Sequence, residues 1–166
     1  MTTFMFDGET VTIRPIQHAD ADMETEFIRR LSPQAKHFRF FGGVNELTPA
    51  EVARLCDVDG KLSAAFVATI RREGREVEIG VARYAPNSKA DTRELALTVA
   101  DEWQHTGLGA TLMKHLIESA RSNGVRQLYS IDLADNPGMR ALAKELGMSA
   151  GRDPDDPQQV IYSLTL

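Results

Sequence analysis

Residues 94–122 read as a strand that turns through two glycines into a long amphipathic helix. Residues 94–99 (ELALTV) are apolar enough for a strand. Over residues 108–122, Leu108, Leu112, Leu116, Ile117 and Ala120 hold a 3.6-residue stripe, and Gly124 stands where a helix C-cap belongs. A strand follows at residues 127–132. Asn136-Pro137 then supplies a cap and a first-turn proline to a helix with Met139, Leu142, Ala143 and Leu146 on its apolar face, ended by Gly147. Residues 160–166 (VIYSLTL) read as a closing strand.

The first half is patterned differently. Residues 11–16 (VTIRPI) alternate as a half-buried strand should, and residues 23–31 place Met23, Phe27, Ile28 and Leu31 at helical spacing. Thr48-Pro49-Ala50-Glu51 combines a cap, a first-turn proline and a glutamate three residues after the cap, ahead of Val52 and Leu55. Residues 64–70 (AAFVATI) and 77–84 (VEIGVARY) are strands joined by a charged, glycine-containing turn over residues 71–76, so they are expected to lie antiparallel. Strands meeting strands early and strand–helix alternation late imply an α+β (mixed α/β) fold, a mixed sheet with helices on its faces.

No repeat, low-complexity tract or linker divides the 166 residues, which are expected to form one domain (1–166) with a full core and no need of disulfides or metals. Nineteen Lys and Arg against 24 Asp and Glu leave a net charge of −5, which would repel a nucleic-acid backbone; a neutral or cationic partner fits better. The start MTTFMFDGET has no basic n-region ahead of an apolar run, and no stretch of about 18 apolar residues occurs, so a cytoplasmic protein without a membrane partner is expected. Cys56, in the apolar-periodic ARLC segment, is expected to pack in the core. His18, His37 and His115 keep no ligand spacing with Cys or carboxylates, so no metal site is expected. Arg71, Arg72 and Arg75 around Gly74 suit a solvated hairpin tip, while the aromatics of Arg39-Phe40-Phe41-Gly42-Gly43 suit either core plugs or part of a substrate mouth.

The turn Gln104-His105-Thr106-Gly107-Leu108-Gly109 carries the chemistry. Glycines at a helix start let backbone approach a ligand, and the orphan N–H groups with the positive end of the helix dipole suit a pyrophosphate; a plain tight turn is the alternative. A Walker loop fails, because Gly109-Ala110-Thr111 has no lysine. A dinucleotide fingerprint mismatches twice, with Leu112 where a small residue belongs and no glycine directly after the strand, although Asp132 lies at a suitable distance. Gln104 to Gly109 does match, at every defined position, the acyl-coenzyme A loop of the GNAT superfamily of N-acetyltransferases: Gln or Arg, two residues, Gly, one residue, Gly or Ala.

The resemblance covers most of the chain. Residues 94–123 resemble the superfamily's strand, loop and long helix, and residues 136–148 its next, Asn-started helix. Leu31-Ser32-Pro33, Arg39-Phe40-Phe41-Gly42, Glu46-Leu47-Thr48, Asp59 with residues 65–68 (AFVA), and Glu94 with residues 99–104 (VADEWQ) most resemble the catalytic domain of bacterial Pat-type protein lysine acetyltransferases. What this implies is a twisted mixed sheet in which a central strand splays from its neighbour and receives the pantetheine arm of acetyl-CoA. Leu97, Thr98 and Val99 would then pair with pantetheine. Backbone N–H groups of Gln104, His105, Thr106, Gly107, Leu108, Gly109 and Ala110 would hold the pyrophosphate, with Asn136 and Arg140 nearby. Glu94 would be the general base and a protein lysine the acceptor, for instance on an acyl-CoA synthetase. The tyrosine that many members carry seven residues after the asparagine is Ala143 here. A small-molecule amine acetyltransferase and a non-catalytic acyl-CoA sensor are the alternatives, the latter at odds with a carboxylate at the cleft mouth.

Overall fold

The computed structural model describes residues 1–40 and 47–166. Its strands are β1 (Thr2–Phe6), β2 (Glu9–Pro15), β3 (Ala64–Arg72), β4 (Arg75–Pro86), β5 (Thr92–Val99), β6 (Gln127–Leu133), β7 (Ser149–Asp153) and β8 (Asp156–Thr165). Its helices are α1 (Ala21–Arg30), α2 (Pro33–Phe40), α3 (Pro49–Cys56), α4 (Leu108–Ser122) and α5 (Pro137–Glu145). The described strands make one sheet in the order β1-β2-β3-β4-β5-β6-β8-β7, antiparallel throughout except where β5 meets β6. Phe41, Gly42 and Gly43 of the aromatic connector, and Glu46, lie outside the described residues.

Helix α4 has the predicted bounds, and its stripe is sealed: Leu108, Leu112, Met113, Leu116 and Ala120 are fully buried against β3, β4 and β5. Its approach to the sheet explains Gly80, where a Cβ would stand 2.9 Å from Leu112 Cδ1. Thr48 caps α3 as its sequence predicts, accepting from Glu51 N–H while Glu51 reaches back to Thr48 N–H. Asn136 caps α5 by accepting from Met139 N–H, and Cys56 is buried, its thiol pushed up to about 11 chiefly by desolvation.

The turn expected over residues 71–76 is shorter. Only Glu73 and Gly74 turn, both at positive φ, because Arg71 pairs with Glu76 and Arg72 with Arg75 along the ladder. Arg72 also bonds Glu9 across the sheet. Three elements lacked a sequence signal. Strand β1 is a short edge strand with Met5 exposed, β7 (SAGRD) takes its form from pairing with β8, and α2 is a short helix opened by Ser32, whose hydroxyl accepts from Ala35 N–H. Asp101 in turn accepts from the Ser32 N–H and hydroxyl, tying α2 to the segment after β5.

What positions the site is where pairing stops. Strand β5 pairs with β4 from Arg93 to Val99, but with β6 only at Thr92↔Gln127, Arg93↔Leu128 and Glu94↔Tyr129. Beyond Glu94, β6 continues with β8 alone. The five residues 95–99 therefore leave roughly 17 Å of β5 edge without a strand partner, at about 3.3 Å per residue.

Candidate active site

The parted strands open a cleft of about 780 Å3. One wall is the free edge of β5 and the other is β6 with α5, while the turn before α4 closes one end. In that turn His105 (φ 62°) and Gly107 (φ 90°) both take left-handed backbone, and at Gly107 a side chain would be strained. Thr106 shapes the bend by donating its hydroxyl to Trp103 O (2.6 Å) and accepting from Leu108 N–H (3.3 Å). Thr111 N–H bonds Gly107 O, so Gly109 and Ala110 N–H, in the first turn of α4, have no intrahelical acceptor. A Cβ at Gly109 would point toward Leu97, Val99 and Leu142, that is, into the cleft between β5 and α5.

The other end of the cleft is built from charged side chains. Glu94 is exposed there and has no hydrogen bond or ion pair among the described residues. Arg93, its neighbour, is buried and donates to Leu62, Ala90 and Thr92 carbonyls, so the two do not pair. Asp132 of β6 accepts from Ser130 Oγ, and burial, with the Glu94 charge adding to it, raises its carboxyl above the usual range against the pull of Ser130 and Arg39. Arg39, stacked over Phe40 at 5.0 Å, has its acidity increased by burial and by the like charge of Arg83. Arg83 donates to Leu55 O (2.7 Å) and lies 3.6 Å from the buried Glu24. Behind it Glu78, fully buried, has its carboxyl raised by desolvation and by Glu24.

The model of the acetyltransferase (GNAT) family matches residues 27–148. This chain belongs to that family. It is 48% identical over 160 residues to Acetyltransferase PA5475 of Pseudomonas aeruginosa, covering 96% of this chain and 86% of the relative. It is 30% identical over 141 residues to Acetyltransferase Pat of Mycolicibacterium smegmatis, covering 84% of this chain but only 41% of that longer protein. Among solved structures, the GNAT domain of S. lividans PAT superposes with a TM-score of 0.88 at 26% identity, covering 99% of this chain and 96% of that one. The protein is thus an N-acetyltransferase that uses acetyl-CoA, with the mixed α/β fold of its family.

The residues of this GNAT chain fit the coenzyme: an unpaired strand edge, two free first-turn N–H groups and a glycine without a side chain in the cleft. Of the sequence-predicted site residues, the cleft gathers Glu94, Leu97, Thr98 and Val99 from β5, Gln104, His105 and Gly107 from the turn, Gly109 and Ala110 from α4, and Asn136. Thr106 and Leu108 are committed to the bend and the core, and Arg140 is exposed, donating to Ala134 O (2.6 Å). Ala143 packs against Tyr162 of β8 and Met139. Sequence reasoning missed Asp132, Arg83 and Gln34 as cleft residues. Only the polar Asp132 and Ser130 inside an otherwise strand-like run offered a signal. No helix among the described residues is long and apolar enough to cross a membrane.

Proposed function

We propose that this GNAT enzyme acetylates the lysine ε-amine of a protein, with Glu94 as general base. The observation that carries the reading is that Glu94 is the last β5 residue paired to β6, at the fork where the cleft begins. Acetyl-CoA supplies an activated thioester carbonyl. At neutral pH only roughly one lysine amine in a thousand or fewer is uncharged, so a proton must leave before or during attack. Glu94, unpaired and facing the cleft, accepts that proton directly or through one water; the neutral nitrogen then attacks the carbonyl carbon, the C–S bond breaks, and the second proton lost from nitrogen goes to the departing thiolate or to water.

The charge of the acceptor end supports a cationic amine. Glu94 and Asp132 line the cleft beside Arg39 and Arg83, so carboxylates stand there to receive a cation. The resemblance of the sequence to Pat-type protein lysine acetyltransferases implies a protein lysine, with an acyl-CoA synthetase as the first candidate. The test is a competition: labelled acetyl-CoA with a purified acyl-CoA synthetase, spermidine and an aminoglycoside. Label on a synthetase lysine, mapped by mass spectrometry, is the expected result. Much faster transfer to spermidine or the aminoglycoside makes this a small-amine acetyltransferase, and coenzyme binding without transfer makes it a sensor.

A further inference from the structure

We infer that Asp132 is the residue that recognises the acceptor as a cation, gripping its ammonium group at the cleft while Glu94 removes the proton. This rests on the transfer to a charged amine proposed above and divides the work of that site between two strands. Glu94 stands on β5 and Asp132 on β6, on the two arms that part after Glu94↔Tyr129, so both carboxyl groups line the same opening. A single carboxylate that both held the ammonium and took its proton would have to do two jobs with conflicting demands. Tight binding of the charge stabilises the protonated amine, whereas catalysis needs it deprotonated.

Asp132 is built as a holder. Its Oδ2 accepts from the hydroxyl of Ser130, two residues back on the same strand face, and Ser130 is itself buried, so the carboxyl is fixed in orientation. Its Oδ1 has no hydrogen bond among the described residues. The charged and titratable groups around it are Glu94 from β5, Arg39 from α2, Tyr162 from β8 and, beyond Tyr162, Arg140 from α5. Arg39 is the one cation that acts on it directly, and it makes no hydrogen bond or ion pair within the described structure. Asp132 therefore keeps an acceptor oxygen for a ligand. Glu94, by contrast, is exposed and untethered, as suits a group that must take a proton and pass it to water.

The test uses the full chain with saturating acetyl-CoA and two acceptors of matched length: a lysine peptide and its acyl-hydrazide analogue, whose nucleophile is uncharged at neutral pH. Asp132→Asn should raise KM for the lysine peptide about 10- to 100-fold, the range for losing a hydrogen bond to a charged group, with kcat changed far less. KM for the hydrazide and affinity for acetyl-CoA should stay near wild type. Asp132→Glu should recover part of the loss, and Ser130→Ala, which frees the carboxyl without removing it, should give a smaller KM increase if Asp132→Asn does not fold. An equal loss on both acceptors would show a merely structural role, and an unchanged KM for the lysine peptide would show no role; either overturns the inference while leaving lysine transfer intact. If wild type ignores lysine and uses spermidine, it is the protein-lysine reading that fails, and the same KM comparison is then read on spermidine.

Discussion

The two ends of the cleft are made of different material. The end proposed for the coenzyme is backbone: the free edge of β5, the N–H groups of Gly109 and Ala110, and the left-handed Gly107. The end proposed for the acceptor is side chain: Glu94 and Asp132 from the two strand arms, Arg39 from α2 and Arg83 from β4, with Glu24 and Glu78 buried behind them. A backbone site depends on conformation and on what is absent, so it fails when a side chain is added. A side-chain site depends on particular functional groups, so it fails when one atom is changed at constant shape.

The largest effect should come from that kind of change. Glu94→Gln keeps size and removes the proposed proton acceptor, and general base catalysis is worth about 100- to 10,000-fold. Steady-state kinetics should show kcat lowered by that order and the acid limb of the pH–rate profile altered, with acetyl-CoA affinity little changed. Wild-type kcat at pH 7 would take Glu94 out of the mechanism.

The opposite kind of change belongs at the coenzyme end. Gly109→Glu directs a side chain and a negative charge toward Leu97 and Val99, where the coenzyme phosphates would approach. Calorimetry should show affinity for acetyl-CoA reduced by at least about tenfold, and the thermal shift that the ligand gives wild type should shrink accordingly. A folded variant that binds normally would separate the coenzyme from this turn.

The smallest effect concerns the carboxyls sealed behind the acceptor end. Glu78 is protonated more readily in the fold than in the unfolded chain because burial and Glu24 disfavour its charge. The folded state then holds a proton that the unfolded state releases above its ordinary carboxylate pKa, so Glu78 costs stability as pH rises from there toward its raised folded value. Glu78→Gln, which keeps a donor toward Glu24, should match wild type in acid and become the more stable at neutral pH, by about 2–4 °C in Tm for each kcal/mol recovered. Melting curves from pH 4 to 8 decide it, and parallel curves would mean Glu78 is charged in the fold.

The same contrast explains what the sequence made legible. The turn proposed for the coenzyme leaves a contiguous trace, Gln104 to Gly109 between a strand and a helix, which the resemblance to the GNAT loop singles out. Glu94 was named through the resemblance to Pat-type enzymes, with its place at the head of that strand in support. The opposite end could not be read this way: Gln34 and Arg39 of α2, Arg83 of β4 and Asp132 of β6 come from three separate elements, and only tertiary pairing brings them together. Elements with strong periodicity, such as α4, were found with their bounds. Strand β7 and helix α2 were missed because β7 is defined by its partner strand and α2 by the Ser32–Asp101 tether, neither of which leaves a periodic trace.

Amide hydrogen exchange with and without saturating acetyl-CoA tests most directly whether the open edge of β5 and the start of α4 receive the coenzyme. The account predicts slowed exchange in peptides covering residues 95–99 and 107–111, with little change across the paired β1–β2 hairpin. Unaltered exchange in both segments while acetyl-CoA is demonstrably bound would contradict it.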